Sequence, residues 1–309
     1  MTLTELRYIV AVAQYQHFGR AAEACHVSQP TLSLGIKKLE EELGVELFER
    51  SVRNELRITA VGTRVIEQAQ RVLEQASVIK QLASQRDDPL FGTLRLGVIY
   101  TIAPYLLPQL IPRIHKHAPD MPLLIEENFT AVLGEQLKQG KLDVIIIALP
   151  FKDPGIVTQA LYDEPFMVAT PNDHAWARRK MVDAAELAEE SLLLLGPGHC
   201  FRDQVLQTCP ACHTSGSLQQ TLAGTSLETI RHMVATGAGI TVLPSSSRRG
   251  VKNNLLSYIP FKHPAPTRRV ALAWRKSFTR PEAIEALRLE ILKCKLNDVV
   301  MLVNESILD

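Results

Sequence analysis

The stretch FGRAAEACHVSQPTLSLGIKKLEEELG, residues 18–44, decides the fold of the N-terminal part of the chain. Its alanine-rich start predicts a short helix, and His26-Val27 predicts a turn. Ser28 is a good N-cap for a second, longer helix, whose first turn tolerates Pro30. Apolar residues recur along that longer helix at intervals of four, three and four, at Leu32, Ile36, Leu39 and Leu43. With Gly44 as its stop and another helix predicted over 3–16, this is a helix-turn-helix.

The exposed face of the longer helix carries side chains that suit DNA. Gln, Ser and Thr can hydrogen-bond base edges, and Lys can reach phosphates. Residues 47–57 follow as a predicted two-stranded wing with local positive charge. Because residues 1–62 contain seven Lys/Arg and eight Asp/Glu, a small helical module with solvated charges is the alternative. The residues predicted to contact DNA are Gln29, Pro30, Thr31, Ser33, Lys37, Arg50 and Arg53.

The spaced pattern over residues 18–50 resembles the winged helix-turn-helix of LysR-type transcriptional regulators. It reads Phe18-x-x-Ala21-Ala22-x-x-Cys25-x-x-Ser28-Gln29-Pro30-Thr31-Leu32-Ser33, continues through Ile36, Leu39-Glu40 and Leu43-Gly44, and ends at Leu47-Phe48-x-Arg50. The resemblance implies double-stranded promoter DNA and RNA polymerase as partners. It also implies a homotetramer, built as a dimer of dimers.

A long helix is predicted from Thr59 to about Arg86. Its apolar stripe repeats at intervals of four and three, a heptad seam at Val65, Ala69, Val72, Ala76, Ile79 and Ala83. We expect this seam to pair with a second copy of the chain, with packing onto the following domain as the alternative. The predicted domains are therefore a winged helix-turn-helix at 1–58, a dimerising linker helix at 59–88 and a regulatory domain at 89–309.

Strands and helices alternate after residue 93, which predicts an α/β domain with a largely parallel sheet. The pattern resembles the two-lobed, periplasmic-binding-protein-like regulatory domain of LysR-type regulators. Lobe one is expected at about 89–163 and 268–309, and lobe two at about 164–267. Thr101 and Thr130 each follow a predicted strand and precede a helix, where a threonine is either a plain N-cap or part of a site between the lobes.

Three cysteines are clustered in the segment GHCFRDQVLQTCPAC, residues 198–212. Cys200 is predicted to begin a short helix beside His199 and Arg202, a setting that favours a reactive thiol. Peroxide oxidises a thiolate to sulfenic acid, which condenses with a second thiol, and Cys209 is the obvious partner. A nine-residue helix would separate the two by about 13 Å, whereas a disulfide needs Cα atoms within roughly 7 Å. A Cys200–Cys209 bond would therefore force that helix to refold.

The same segment, together with Thr101-x-x-Pro104-Tyr105-Leu106-Leu107-Pro108, resembles the redox site of the peroxide-sensing LysR-type regulators. That resemblance implies Cys200 as the peroxide-reacting thiol and Cys209 as the resolving thiol. Hydrogen peroxide would be held by Thr101, Thr130 and His199, and the site would be tuned or positioned by Arg202 and Asp203.

Cys212 lies outside the pattern of that redox site. It could form a competing Cys209–Cys212 disulfide, help to bind zinc, or be inert. Zinc requires four ligands and usually two such cysteine pairs, so we predict no metal and no cofactor. Cys25 and Cys294 fall on apolar helix faces and are expected to be small core residues.

The composition, with 46% hydrophobic and 22% charged residues, indicates an ordinary globular protein with neither a membrane span nor a signal peptide. We expect a cytoplasmic, non-enzymatic regulator that cellular thiol reductants reset. The first alternative is a LysR-type regulator of a small organic effector bound between the lobes. The second is a thiol peroxidase or disulfide oxidoreductase, which would need a thioredoxin-like setting before residue 209.

Overall fold

The computed structural model describes residues 1–50, 56–84, 88–209, 212, 226–248 and 255–303. The chain forms two compact units, the first covering Met1–Ser84 and the second nearly all of the remainder. Within the described ranges, no helix is both long enough and apolar enough to cross a membrane.

The first unit begins with the predicted helix-turn-helix, formed by α1 (Leu3–Tyr15), α2 (Phe18–Ala24) and α3 (Gln29–Leu43). A capping box between Thr2 and Glu5 starts α1, and the Ser28 hydroxyl accepts the Thr31 N–H at 3.3 Å to start α3. Gly44 ends α3 with a φ of +68°, a conformation that suits glycine. Of the four predicted core positions on α3, Leu43 is 38% exposed, while the other three are buried.

A short antiparallel ribbon follows, formed by β1 (Phe48–Arg50) and β2 (Leu56–Ile58), as the predicted wing requires. The Glu40 carboxylate accepts the backbone N–H groups of Leu47 at 2.7 Å and Phe48 at 3.2 Å, which fixes the ribbon to α3. The connection between the strands, with the predicted DNA contact Arg53, lies outside the described residues.

The long helix α4 (Ala60–Ser84) is capped by Thr59, whose hydroxyl accepts the Gly62 N–H at 2.8 Å. The N-terminal half of the predicted seam packs on its own unit, since Ala69 is 2% exposed and belongs to the helix-turn-helix core. Further along, Val72 is 43% exposed and Ile79 is 67% exposed in the single chain. The heptad seam is therefore divided, and only its C-terminal part remains for a partner helix.

The second unit starts with alternating elements, in the predicted order: β3 (Leu94–Ile99), α5 (Ala103–His117), β4 (Leu123–Asn128), α6 (Thr130–Lys138) and β5 (Val144–Ala148). It continues with β6 (Ile156–Pro171), β7 (Leu192–Leu193), α7 (Cys200–Thr208), α8 (Leu227–Ala235), β8 (Ile240–Pro244), β9 (Leu256–Pro260), β10 (Thr267–Arg275), α9 (Pro281–Leu292) and β11 (Val300–Met301).

The sheet is mixed, which corrects the expectation of a largely parallel one. Its strands follow the order β4-β3-β5-β10-β6-β8-β7, with β9 and β11 also paired to β6. Pairs β3–β4, β3–β5 and β7–β8 are parallel, while every pair that includes β6 or β10 is antiparallel. The reason is that β10 runs antiparallel to both β5 and β6, and β6 in turn runs antiparallel to β8 and β9.

Two separate hydrophobic cores give the second unit its two lobes. One cluster contains buried residues from 94–162 and 270–294, and the other contains buried residues from 166–261. The long strand β6 connects them, since it contributes buried residues to both. The N-terminal end of α7 lies at the junction, because Cys200 packs against the first core while its neighbour Phe201 belongs to the second.

Candidate functional site

Cys200 is the first residue of α7, as predicted. Gly198 precedes it with a φ of +94°, which a residue with a side chain rarely adopts. This turn places His199 at the N-cap, where its side chain makes no capping hydrogen bond. Cys200 is half-buried and has a free thiol. The sulfur therefore lies where the unsatisfied N–H groups of a helix start create positive potential.

A small cavity adjoins Cys200 at the junction of the lobes. Its lining includes Thr101, which follows β3, Thr130, which begins α6 directly after β4, and His199, which precedes α7. The space open to the centre of a water-sized molecule is about 10 Å³, which is roughly what one water needs. The cavity therefore suits a molecule about as small as water.

The two threonines of this cavity differ in their hydrogen bonding. The Thr101 hydroxyl accepts a hydrogen bond from Arg268 Nη1 at 2.8 Å. The Thr130 hydroxyl oxygen is buried and, among the residues that the structure describes, has no hydrogen-bond partner. Buried polar atoms are almost always paired, and one that is not requires an explanation. Thr130 thus presents the cavity with an available hydroxyl at the first residue of α6.

His199 is 7% exposed and lies among aromatic rings. Its ring centroid is 4.7 Å from that of Phe129 and 5.9 Å from that of Tyr100, both in edge-to-face arrangements. Burial lowers the pKa of His199 from its ordinary 6.5. Near neutral pH the imidazole is therefore neutral, so it can exchange hydrogen bonds with a ligand but adds no positive charge beside Cys200.

A buried cation, Arg268, lies beside the site and was not among the residues predicted from the sequence. Its Nε donates to Glu164 at 2.7 Å, and its Nη2 donates to the Thr101 carbonyl at 2.9 Å. The guanidinium also lies over the Phe201 ring, 5.1 Å from the centroid, and within electrostatic range of Cys200. Burial is the largest single influence and lowers the pKa of Arg268, but Glu164, Tyr162 and Cys200 together raise it above its ordinary value.

A sequence signal for this ion pair existed. Adjacent acids Asp163-Glu164 lie on β6, and adjacent arginines Arg268-Arg269 lie on β10. The strands pair so that Arg268 is opposite Glu164 and Arg269 is opposite Asp163. Because side chains alternate across a strand, one ion pair is buried and the other is exposed. Two charge doublets of opposite sign in otherwise apolar strands therefore indicate a buried pair.

Arg202 and Asp203 do not line the cavity beside Cys200. Asp203 is exposed in the first turn of α7, and Arg202 is partly buried. The structure therefore brings Thr101, Thr130 and His199 to Cys200 and leaves these two residues apart. A tuning role for Arg202 and Asp203 stays a prediction.

Cys209 lies at the opposite end of α7, as its C-cap. The intervening helix is formed as predicted, so Cys200 and Cys209 are separated by about 13 Å along it. Cys209 instead forms a disulfide with Cys212, with a Cα–Cα distance of 5.5 Å. The competing disulfide considered from the sequence is therefore the one present. Within the part of the chain that the structure describes, no cluster of three His, Cys, Asp or Glu residues could hold a metal ion.

Five of the predicted DNA contacts lie on α3. Gln29, Pro30, Thr31 and Lys37 are exposed, and Ser33 is partly exposed. Lys37 Nζ is 3.7 Å from the Glu41 carboxylate, a solvent-exposed pair that contributes little and leaves the ammonium accessible. Arg50 ends β1. Contact with DNA remains a prediction for each of these residues.

Comparison with known protein families accounts for both units. The profile of the bacterial regulatory helix-turn-helix protein of the lysR family matches residues 3–63. The profile of the LysR substrate binding domain matches residues 87–293. The chain belongs to the LysR family of bacterial regulators.

Within the LysR family, the similar proteins are OxyR and hydrogen peroxide-inducible genes activators. The chain is 43% identical to the DNA-binding transcriptional dual regulator OxyR of Escherichia coli K12 over 277 residues, which cover 89% of this chain and 90% of the relative. It is 44% identical over 277 residues to the hydrogen peroxide-inducible genes activator of Pectobacterium carotovorum, again with 89% and 90% coverage.

Solved structures agree with these relatives. A full-length OxyR from Pseudomonas aeruginosa, with an aspartate in place of a cysteine, matches with a TM-score of 0.74 and 53% identity over 99% of both chains. A peroxide-bound cysteine variant of OxyR from Corynebacterium glutamicum matches with a TM-score of 0.62 and 33% identity, covering 94% of this chain and 92% of the other. The predicted LysR-type architecture, a winged helix-turn-helix joined to a two-lobed α/β domain, is confirmed.

Proposed function

We propose that this protein is a hydrogen-peroxide-sensing transcription regulator that acts in the cytoplasm on double-stranded promoter DNA. The observation that carries this proposal is the cavity at Cys200: a free thiol at a helix start, beside an unpaired hydroxyl, in a space of about one water. Hydrogen peroxide is nearly as small as water and both donates and accepts hydrogen bonds. The names of the relatives, hydrogen peroxide-inducible genes activators, support the same ligand.

The chemistry requires two steps. The Cys200 thiolate attacks one peroxide oxygen, the O–O bond breaks, and hydroxide leaves as water while Cys200 becomes a sulfenic acid. Once a cellular thiol reductant has opened the Cys209–Cys212 bond, the Cys209 thiolate attacks the Cys200 sulfur and displaces hydroxide, which leaves as water after taking up a proton, giving a Cys200–Cys209 disulfide. Thr130, Thr101 and His199 hold the peroxide, and the helix start and Arg268 supply positive potential at the sulfur. Arg202 and Asp203 are proposed to position or tune the site.

Formation of that disulfide requires α7 to unfold, since its ends are too far apart in the folded state. We infer that the regulatory domain refolds and that this changes how the DNA-binding units bind DNA. The working assembly is proposed to be a homotetramer, a dimer of dimers, paired through the exposed Val72 and Ile79 of α4. RNA polymerase is the proposed downstream partner, and cellular thiol reductants reset the switch. The thiol reacts once per signal, so the protein is not an enzyme.

The test is a peroxide titration of the reduced full-length wild type and of the Cys200→Ser, Cys209→Ser and Cys294→Ser variants. Each sample is footprinted on a DNA fragment selected for binding by the reduced wild type, and its disulfides are mapped by mass spectrometry. We expect the wild type and Cys294→Ser to change footprint at the same peroxide concentration. Cys200→Ser and Cys209→Ser should lose the change.

A Cys200→Ser variant that still responds to peroxide with the wild-type footprint change would refute the proposal. A small organic effector bound between the lobes, outside the cavity at Cys200, would then be the better candidate.

A further inference from the structure

Cys209 is placed between two possible thiol partners that require different folds. Cys212 is compatible with the native fold: its backbone N–H donates to the Cys209 carbonyl at 3.0 Å, and the Cα–Cα distance is 5.5 Å. That separation lies at the mode for disulfides. Cys209 is 1% exposed and Cys212 is 0% exposed, and both pack in the core of lobe two. A Cys209–Cys212 bond therefore forms with α7 intact.

Cys200 is the partner that requires the other fold. To reach it, Cys209 must give up its backbone hydrogen bond to the Val205 carbonyl, made at 3.1 Å. Phe201, Val205 and Leu206, all buried on α7, must also leave the core of lobe two. A Cys200–Cys209 disulfide therefore keeps α7 unfolded and its apolar side chains out of the core. A Cys209–Cys212 disulfide has neither cost.

We propose that Cys212 is a third redox residue, a resetting thiol that removes Cys209 from Cys200. The Cys212 thiolate attacks the Cys209 sulfur of the Cys200–Cys209 disulfide. A Cys209–Cys212 bond forms, the Cys200–Cys209 bond breaks, and Cys200 leaves as a thiolate that takes up a proton. Two electrons are redistributed within the protein and none are exchanged with solvent. This inference rests on the proposed function, because it begins from the disulfide made there.

The direction of the exchange follows from the fold. Release of Cys200 lets α7 refold and returns its apolar side chains to the core, so refolding drives the bond toward Cys212. The protein then has the reduced fold around Cys200 while Cys209 remains occupied. In this state peroxide can oxidise Cys200, but no resolving thiol is available, and no switching disulfide forms.

Recovery from that state requires a dithiol reductant of the cell to open the Cys209–Cys212 bond. Both sulfur-bearing residues are at most 1% exposed, so the reductant must wait for local opening. The exchange therefore ends the DNA response early and leaves the regulator refractory until it is reduced.

The experiment follows the disulfides with time after a single equivalent of hydrogen peroxide. Fully reduced, oxygen-free, full-length wild type, Cys212→Ala and Cys200→Ser are compared, with Cys294→Ala as the matched control of another buried cysteine. Samples are quenched in acid, alkylated and mapped by mass spectrometry. In the wild type and in Cys294→Ala we expect Cys200–Cys209 to rise and then decay as Cys209–Cys212 accumulates. In Cys212→Ala the Cys200–Cys209 bond should last at least ten times longer.

Two results would overturn the inference. One is a Cys200–Cys209 bond that decays as slowly in the wild type as in Cys212→Ala. The other is a Cys209–Cys212 bond that forms as fast in Cys200→Ser as in the wild type, since peroxide would then oxidise that pair directly. The second comparison does not depend on how well Cys212→Ala folds.

Failure of the proposed function has a different signature. If Cys200 stays a thiol and no Cys200–Cys209 bond forms even in Cys212→Ala, the sensing mechanism itself is wrong. If that bond forms there but shows equal lifetimes in both proteins, only the role of Cys212 is wrong.

Discussion

Thr130 is the residue at which the structure most clearly indicates a ligand. Its hydroxyl is buried in the cavity beside Cys200 without a partner among the residues described. A peroxide oxygen there would supply the missing hydrogen bond. Thr101, by contrast, is already held by Arg268, so its hydroxyl is oriented before any ligand arrives. We therefore assign Thr130 the larger share in retaining peroxide near the thiol.

Replacement of Thr130 by Val should slow the oxidation of Cys200. The variant keeps the side-chain shape and loses one hydrogen bond to the bound peroxide, so the rate constant should fall about 3- to 10-fold. The measurement is the loss of the Cys200 thiol under excess peroxide, followed by alkylation and mass spectrometry.

The control is Thr170→Val, since Thr170 is another buried threonine whose hydroxyl lacks a partner in the described part of the chain, but in lobe two. It should oxidise at the wild-type rate. Equal slowing in both variants would mean that the effect is on the fold and that Thr130 does not hold peroxide.

The sequence predicts some of the residues that line the cavity at Cys200 and does not predict Arg268, for a physical reason. Thr101 and Thr130 follow strands and precede helices, and His199 is next to the cysteine, so local pattern and family resemblance are enough to find them. Arg268 lies far from Cys200 along the chain and reaches the site only through the pairing of β10 with β6. Register between distant strands is a tertiary property, which local sequence patterns do not specify.

At the scale of the element, α7 is both a support for Cys200 and a barrier to its disulfide. It is nine residues long, and three of its apolar side chains anchor it to lobe two. A helix this short is marginal without such packing. Its stability should therefore govern how fast Cys200 and Cys209 can join after oxidation.

The exposed residue Gln207 allows this barrier to be tested. In a helix, Gly is about 1 kcal/mol less favourable than Ala. If unfolding of α7 limits the reaction, Gln207→Gly should form the Cys200–Cys209 bond about fivefold faster than Gln207→Ala. Both variants are made in the Cys212→Ala background, and the bond is followed by mass spectrometry at saturating peroxide. Identical rates would show that the bond forms without prior unfolding of the helix.

The long strand β6 is an element whose full length the sequence does not predict. The sequence predicts a boundary between the lobes at about residue 164, whereas the single strand β6 spans Ile156–Pro171 and passes from one lobe into the other. Its half nearer lobe one has fewer fully buried positions than its end in lobe two. Because the apolar pattern of that half is weak, the sequence does not predict this part of the strand. The antiparallel pairing that makes the sheet mixed is therefore not predicted either.

At the scale of the regulatory unit, the buried pair of Arg268 and Glu164 connects the lobes. Glu164 also accepts the Ser246 N–H of lobe two at 3.1 Å, while Arg268 holds Thr101 of lobe one. Both side chains are 0% exposed. Loss of one partner leaves an uncompensated charge in the interior, which costs far more than the pair gains.

Arg268→Met should therefore destabilise the full-length protein by about 3–5 kcal/mol. Added Glu164→Gln should restore part of the loss, because the unpaired charge is removed. The measurement is the urea midpoint of the regulatory unit, followed by Trp fluorescence. Arg269→Met is the control on the same strand, since its pair with Asp163 is exposed, and its midpoint should barely move. Equal effects of the two arginine variants would contradict a special role for the buried pair.

The size of the cavity at Cys200 also determines what the cell can detect. Because the space is that of about one water, we expect hydrogen peroxide to oxidise Cys200 faster than the bulky hydroperoxides that arise from oxidised lipids. Damage to membranes would then go unnoticed by this regulator until it yields the small oxidant itself. Selection among oxidants would then follow from the small volume beside the thiol.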